Sequence, residues 1–469
     1  MIRALLSRRS RLGNACAALL LATLLPALAS AAGPPVERLQ LANGARLLVS
    51  EQHNLPMVIV QILLDAGARR DPAGKEGLAN LTADLITEGT RKRNAAQISE
   101  ATDFIGASLS SGADLDYATL GLVMLSKDLD AGLDLLSDVL LNPTFPAAEV
   151  TRRREAALAA LTAEQDEPGR VAARAFVETL FNGEPYGHPP IGNVAALKAV
   201  TRNEIAAFYE RHYRPDGAII TVVGDVSSAD IQARLNTTLA AWKPGAPSFD
   251  YVQQAAAAPA PVLIDKPITQ ANVILGHRGI ARENPDYYAL TVMNFILGGG
   301  GFTSRLLDNI RTKAGLAYSV SSSFSANKSP GFFQVGLQTK NASARDAIQR
   351  ACAELARIRS ETVTDDELSG AKLYLTGSFP LRFDSNRKIA GFLAQVEFFN
   401  LGAAYADEYT QRINAVTKEE ILRVAQQYLR PEQLQLVVVG NLGEANVPHT
   451  PPCAAQEPAA PPSAGQPEE

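Results

Sequence analysis

Apolar and polar positions change period several times along the chain, and each change marks an element. Residues 39–49 alternate around Asn43-Gly44, a strong hairpin signal. Residues 58–67 read as a strand, followed by Ala-Arg-Arg-Asp-Pro and a helix over about 77–86. Helical spacing predicts long helices over 128–141 and 147–164. A β-branched run at 219–223, closed by Gly224, predicts a buried strand.

Much of this pattern returns. Residues 199–224 and 415–440 align without a gap at an offset of 216, with about ten identities in 26. Thr201 pairs with Thr417, Glu204 with Glu420, Pro215 with Pro431 and Gly224 with Gly440. In each copy the Thr caps a helix and the Glu three residues later completes a capping box. Arg-Pro then stops the helix before a strand. A weaker echo precedes it: a strand at 271–279, then Ala-Arg-Glu-Asn-Pro and a helix over about 287–297. The pattern predicts two α+β domains of similar fold, 37–243 and 262–445, joined by an Ala/Pro-rich linker at 244–261. The Pro/Ala-rich tail, 446–469, has few large apolar residues and is expected to be disordered.

Residues 1–31 read as a secretory signal: Arg3, Arg8, Arg9 and Arg11, an apolar run over 15–28, then Ala29-Ser30-Ala31. The run is shorter than the ~20 residues a bilayer span needs. The expectation is an exported protein without a stable membrane span, periplasmic if the source is Gram-negative; signal cleavage is left open. The formal charge of −5 falls to −9 once the four leader arginines are removed. No extended clustering of Lys and Arg follows the leader, which argues against a nucleic-acid surface. Beyond the leader, Cys352 and Cys453 do not read as a disulfide framework.

The usual catalytic arrangements are missing. His53, His188, His212, His277 and His449 share no metal-binding spacing, and His212 reads as a packing residue. No nucleophile elbow or phosphate loop is present. Residues 297–323 are more informative. Gly298, Gly299, Gly300 and Gly301 let a backbone approach a ligand closely; a short helix bearing Arg311 follows, Gly315 ends it, and a strand bearing Tyr318 begins. The residues alone leave two readings: Arg311 and Tyr318 converge on a ligand, or Arg311 serves a helix terminus while Tyr318 fills the core.

Across 37–445 the sequence resembles the pitrilysin/insulinase (inverzincin) zinc peptidase family. The resemblance is carried by Gly67-Ala68-Arg69-Arg70-Asp71-Pro72, Gly77-Leu78-Ala79, Glu88-Gly89-Thr90, the loop Glu184 to Gly192, and the segment from Gly298 to Tyr318. Active members carry His-x-x-Glu-His on the helix after Gly-Leu-Ala, with a distal Glu ligand about 76 residues on. Here Asn80 and Asp84 stand at the His positions, Ala83 at the base and Ala160 at the distal ligand. The resemblance therefore implies two similar α/β-roll domains in a half-shell and a chain that holds no metal of its own. It also implies a non-catalytic, substrate-binding role. Arg311 and Tyr318, seven residues apart as in the family's non-catalytic halves, and Gly298 to Gly301 would bind a peptide or unfolded protein. A related catalytic subunit would bring zinc and complete a heterodimer. A scaffold or peptide-holding (holdase) subunit with no part in proteolysis is the alternative reading.

Overall fold

The computed structural model describes residues 33–245, 251, 260–450 and 452–453. The leader expected over 1–31 and most of the 244–261 linker lie outside the described residues. The first half contributes β1 (Glu37–Gln40), β2 (Arg46–Glu51), β3 (Met57–Leu64), β4 (Ser108–Ala113), β5 (Ala118–Leu125) and β6 (Ile219–Gly224). The second contributes β7 (Val262–Asp265), β8 (Gln270–Arg278), β9 (Ala317–Ser325), β10 (Phe332–Lys340) and β11 (Gln435–Gly440). The sheets have orders β1-β2-β6-β3-β5-β4 and β7-β11-β8-β10-β9. Setting β1 aside, they are the same sheet. β2 runs parallel to β6 as β7 does to β11, and every other neighbouring pair is antiparallel. The mixed α/β architecture in two similar units is the one the repeat predicts.

The helices that bear on the sheets and the site are α1 (Leu78–Leu85), α2 (Ala147–Glu164), α3 (Pro168–Leu180), α4 (Arg202–His212), α5 (Tyr287–Asn294), α6 (Ala344–Ser360), α7 (Asp365–Ser378), α8 (Asn386–Phe398) and α9 (Lys418–Tyr428). Both repeated helices begin with the expected capping boxes, Thr201/Glu204 on α4 and Thr417/Glu420 on α9.

One face of each sheet packs on helices of its own half. On β5 the alternating Ala118, Leu120, Leu122 and Met124 are buried, as are Phe333, Val335 and Leu337 on β10. The central strands β6 and β11 are buried at every position, so both of their faces are covered. The second cover comes from the opposite half. Ile389, Ala390, Leu393, Ala394 and Phe398 of α8 pack on Leu48, Ile59, Leu63, Ile219 and Val223 of the first sheet. Reciprocally, Val171, Ala172 and Phe176 of α3 pack on Ile274, Val437 and Val439 of the second. The two helices start 218 residues apart, within two residues of the repeat offset. Equivalent helices have exchanged sheets.

The loop Glu184 to Gly192 fastens this exchange. Buried Glu184 pairs with Arg278 of β8 and accepts from the Tyr251 hydroxyl. The Tyr186 hydroxyl donates to Asp116 at 2.5 Å, and Asp116 accepts from the Lys328 backbone N–H at 2.9 Å. Gly192, at φ +76°, lies so close to α1 that a Cβ would sit 1.9 Å from the Glu76 carbonyl.

One expectation about the chain end needs correcting, and most of the tail over 446–469 lies outside the described residues. Cys352, on α6, is disulfide-bonded to Cys453 with Cα atoms 5.4 Å apart. The described part of the tail is also packed: Val447 is buried in the second core, and Cys453 lies against it.

Candidate functional site

The helix that carries metal ligands in active relatives is here an ordinary core helix. Leu78, Ala79, Leu81, Thr82, Ala83 and Leu85 of α1 are buried, which leaves Asn80 and Asp84 on its half-buried side. One turn apart, they satisfy each other: the Asn80 amide donates to Asp84 at 3.2 Å. Burial pushes the Asp84 carboxyl upward, opposed by Arg153 and by Asn80. Ala83 presents a fully buried methyl group, and Ala160 lies exposed on α2. An amide already committed to its neighbour, a carboxylate and two methyl groups do not fit zinc.

What stands nearby is an ion-pair cluster that spacing arguments missed. Glu88, just beyond α1, accepts from Arg152 at 2.6 Å and from Arg153 Nε at 2.9 Å. Burial opposes the Glu88 charge, but the two guanidinium groups hold its carboxyl below the usual range. The run Arg152-Arg153-Arg154 was the available signal. Its third member donates to the Val200 carbonyl at 3.2 Å, so the run clamps α2 onto its surroundings.

The histidines do not converge. His277 is buried between the Arg278 carbonyl and the Arg430 N–H, and burial pushes it down to about 4. His212 packs on Phe208 at 4.5 Å between ring centroids and is likewise pushed down to about 4 by burial. His188 is also buried, while His53 and His449 are exposed.

The second half does assemble a site. α5 runs on into a wide π turn, Phe295–Gly299. Asn294 and Ser322 exchange hydrogen bonds at 2.8 and 3.1 Å, which draws this turn onto β9. Gly298 is buried in that contact: a Cβ there would sit 2.5 Å from the Ser322 nitrogen. The glycines therefore do not act as one strip. Gly298 is a packing position, Gly300 is half-buried, and Gly299 and Gly301 face solvent. Arg305 anchors the following turn through a two-pronged pair with Glu367 at 2.6 and 2.9 Å. Burial resists the Glu367 charge, but Arg305 and Thr364 hold its carboxyl at about 2.

A second π turn, Asp308–Lys313, carries Arg311, and Gly315, at φ +64°, reverses the chain into β9. The Arg311 guanidinium carbon lies 5.1 Å from the centre of the Tyr318 ring and 4.9 Å from that of Phe302. Arg311 and Tyr318 are thus brought together, and Tyr318 is 74% exposed rather than in the core. Phe302, 73% exposed, is the member that sequence reasoning missed. Its signal was a lone large aromatic inside a Gly/Ser/Thr loop. Among the described residues no carboxylate pairs with Arg311. Beside the trio opens a cleft of about 660 Å³ lined by Ile296, Gly300, Phe302, Ala371 and Tyr374. β9 is an edge strand with Ser319, Ser321 and Ser323 exposed. The arrangement offers a cation between two rings beside an unpaired strand edge, which suits an extended peptide.

Comparison with known proteins gives the family and the fold. Family models described as "Insulinase (Peptidase family M16)" and "Peptidase M16 inactive domain" match residues 46–193 and 199–375. The chain belongs to this peptidase family. It is similar to a Streptomyces coelicolor protein named as an uncharacterized zinc protease, 29% identical over 418 residues, which cover 87% of this chain and 90% of the relative. A Bacillus subtilis protein named in the same way is 23% identical over 414 residues, 87% of this chain and 99% of its own. A crystal structure described as a peptidase M16 inactive domain from Pseudomonas fluorescens superposes with TM-score 0.82 at 29% identity, covering 87% of this chain and 98% of that one. A Helicobacter pylori protease, at 21% identity and TM-score 0.79, shares the fold over 87% of this chain and 99% of its own.

Proposed function

We propose that this chain is the non-catalytic, substrate-binding subunit of an exported two-chain zinc metallopeptidase. The observation that carries the reading is a contrast between the halves. The first half has lost ligand and base chemistry at Asn80, Ala83, Asp84 and Ala160, whereas the second keeps a half-buried Arg311 beside an exposed Tyr318, without a competing carboxylate among the described residues. The partner is a related chain bearing His-x-x-Glu-His, whose two histidines would hold zinc; that metal would supply polarisation of the scissile carbonyl and an activated water. Arg311 and Tyr318 orient that carbonyl and stabilise charge developing on its oxygen, while the substrate backbone pairs with the β9 edge. The disulfide supports work in an oxidising compartment.

The test is hydrolysis of a quenched fluorescent peptide library by this chain alone, and mixed with such a partner plus zinc. The expected result is silence alone and turnover in the mixture. Arg311→Ala with Tyr318→Phe should lower kcat/KM of the pair roughly a hundredfold. Unchanged turnover in that variant refutes the role of the pair. A stable complex without turnover points instead to a scaffold.

A further inference from the structure

A second cleft, of about 650 Å³, lies where α8 passes the far end of β9, some six residues along that strand from Tyr318. Its walls are aromatic, with Tyr287, Phe324, Phe392 and Tyr405, and its cations are Arg282 and Arg382. The Arg282 guanidinium lies 3.6 Å from the Tyr287 ring centre and donates to the Tyr405 hydroxyl at 2.8 Å. Arg382 lies over Phe379 and Tyr409, 5.3 and 5.1 Å from their ring centres. Neither arginine forms an ion pair among the described residues. Lys388, also at the cleft, is already neutralised by Asp384 at 2.9 Å.

The internal repeat shows that this missing counter-charge is particular to the second half. The first copy of the motif, Ala68-Arg69-Arg70-Asp71-Pro72, corresponds to Ala281-Arg282-Glu283-Asn284-Pro285. Arg69, the counterpart of Arg282, is buried and held by Asp65 at 2.5 Å and Asp116 at 3.2 Å. Asp65 lies three residues before Ala68; three residues before the corresponding Ala281 stands Arg278, itself a cation paired with Glu184. The carboxylate that neutralises the first arginine has no equivalent beside the second. In a chain of net negative charge, two guanidinium groups are left facing an aromatic cavity.

We infer that this cleft binds the C-terminal residue of a peptide, its α-carboxylate between Arg282 and Arg382 and an apolar or aromatic side chain against Phe324 and Phe392. Two forked cations select a carboxylate, and rings on the remaining walls select an apolar body. The volume falls within the ~300–1,000 Å³ common for small-ligand sites. The inference rests on the peptide-binding reading above and adds an anchor at the opposite end of the same strand edge.

The experiment is calorimetric titration of the isolated chain with acetyl-Ala-Ala-Phe, as the free acid and as the C-terminal amide. The acid should bind at least tenfold more tightly. Arg282→Gln with Arg382→Gln should abolish the difference. Leu381→Asp, at a position 60% exposed on the cleft wall, should weaken acid binding without touching the core. Equal binding of acid and amide, or a preference that survives the double substitution, overturns the inference. So does saturable binding of decanoate with none of the tripeptide acid, which would make the cleft a lipid-acid site. Titration needs no partner, so the inference and the subunit role fail separately: turnover of the mixed pair without acid selectivity sinks only the former.

Discussion

Replacing Phe176 with Ala tests whether the halves stand alone. Phe176 belongs by sequence to the first half, yet its ring is fully buried on the second sheet, edge-on to Phe332 at 5.4 Å. It also touches Gly276, where a Cβ would meet its ring at 2.5 Å. Truncating a buried Phe costs about 3–5 kcal/mol. With about 400 described residues, unfolding at ~2.1 cal/mol/K per residue gives an entropy near 0.85 kcal/mol/K. A loss of about 4 kcal/mol therefore lowers Tm by about 5 °C. The size of the shift is less telling than its distribution. Because α3 covers β8 and β11, native-state hydrogen exchange should show β11 amides losing protection together with those of β6, in one cooperative transition. Two separate transitions, or a variant whose β8 and β11 amides stay protected while only α3 frays, would refute the interlocking of the halves.

Three further outcomes can be measured. Reduction, or Cys453→Ser, should destabilise the chain by about 3–5 kcal/mol in urea titrations, since the bond closes a loop of 101 residues in the unfolded state. His212 and His277 are held near 4 against the usual 6.5, so the unfolded chain binds more protons between those limits. Stability should be full above pH 6.5 and fall as pH drops toward 4, by up to about 3 kcal/mol per histidine; His277→Phe should flatten that slope in a pH series of melts. Gly298→Ala should cost about 1–3 kcal/mol by forcing the π turn off β9, and tryptic cleavage after Arg311 should quicken.

How much of this was legible in the sequence depends on the range of the interaction. Capping boxes, the Asn43-Gly44 hairpin and the limits of α2 are local, and the pattern located them. Arg311 and Tyr318 were also within reach, because seven residues and one left-handed Gly315 determine their approach. The exchange of α3 and α8 was not. An apolar stripe says that a helix must be covered, never which of two similar sheets does the covering. Phe302 escaped because loop residues carry no period, and the freed charge of Arg282 because it depends on which residue stands opposite. The tail's attachment through Cys453 likewise lies in a contact 101 residues away.

The exchanged helices also impose a timetable on synthesis. α3 is already made when β8 and β11 appear, so the second sheet meets its cover as it forms. The first sheet is complete at Gly224, yet α8 ends at Phe398, 174 residues later. At ~5–20 residues per second the ribosome takes roughly 9–35 s to deliver it. Where folding keeps pace with synthesis, Leu48, Ile59, Ile219 and Val223 have strand neighbours but no cover through that interval, so the apolar face of the first sheet stays open far longer than that of the second.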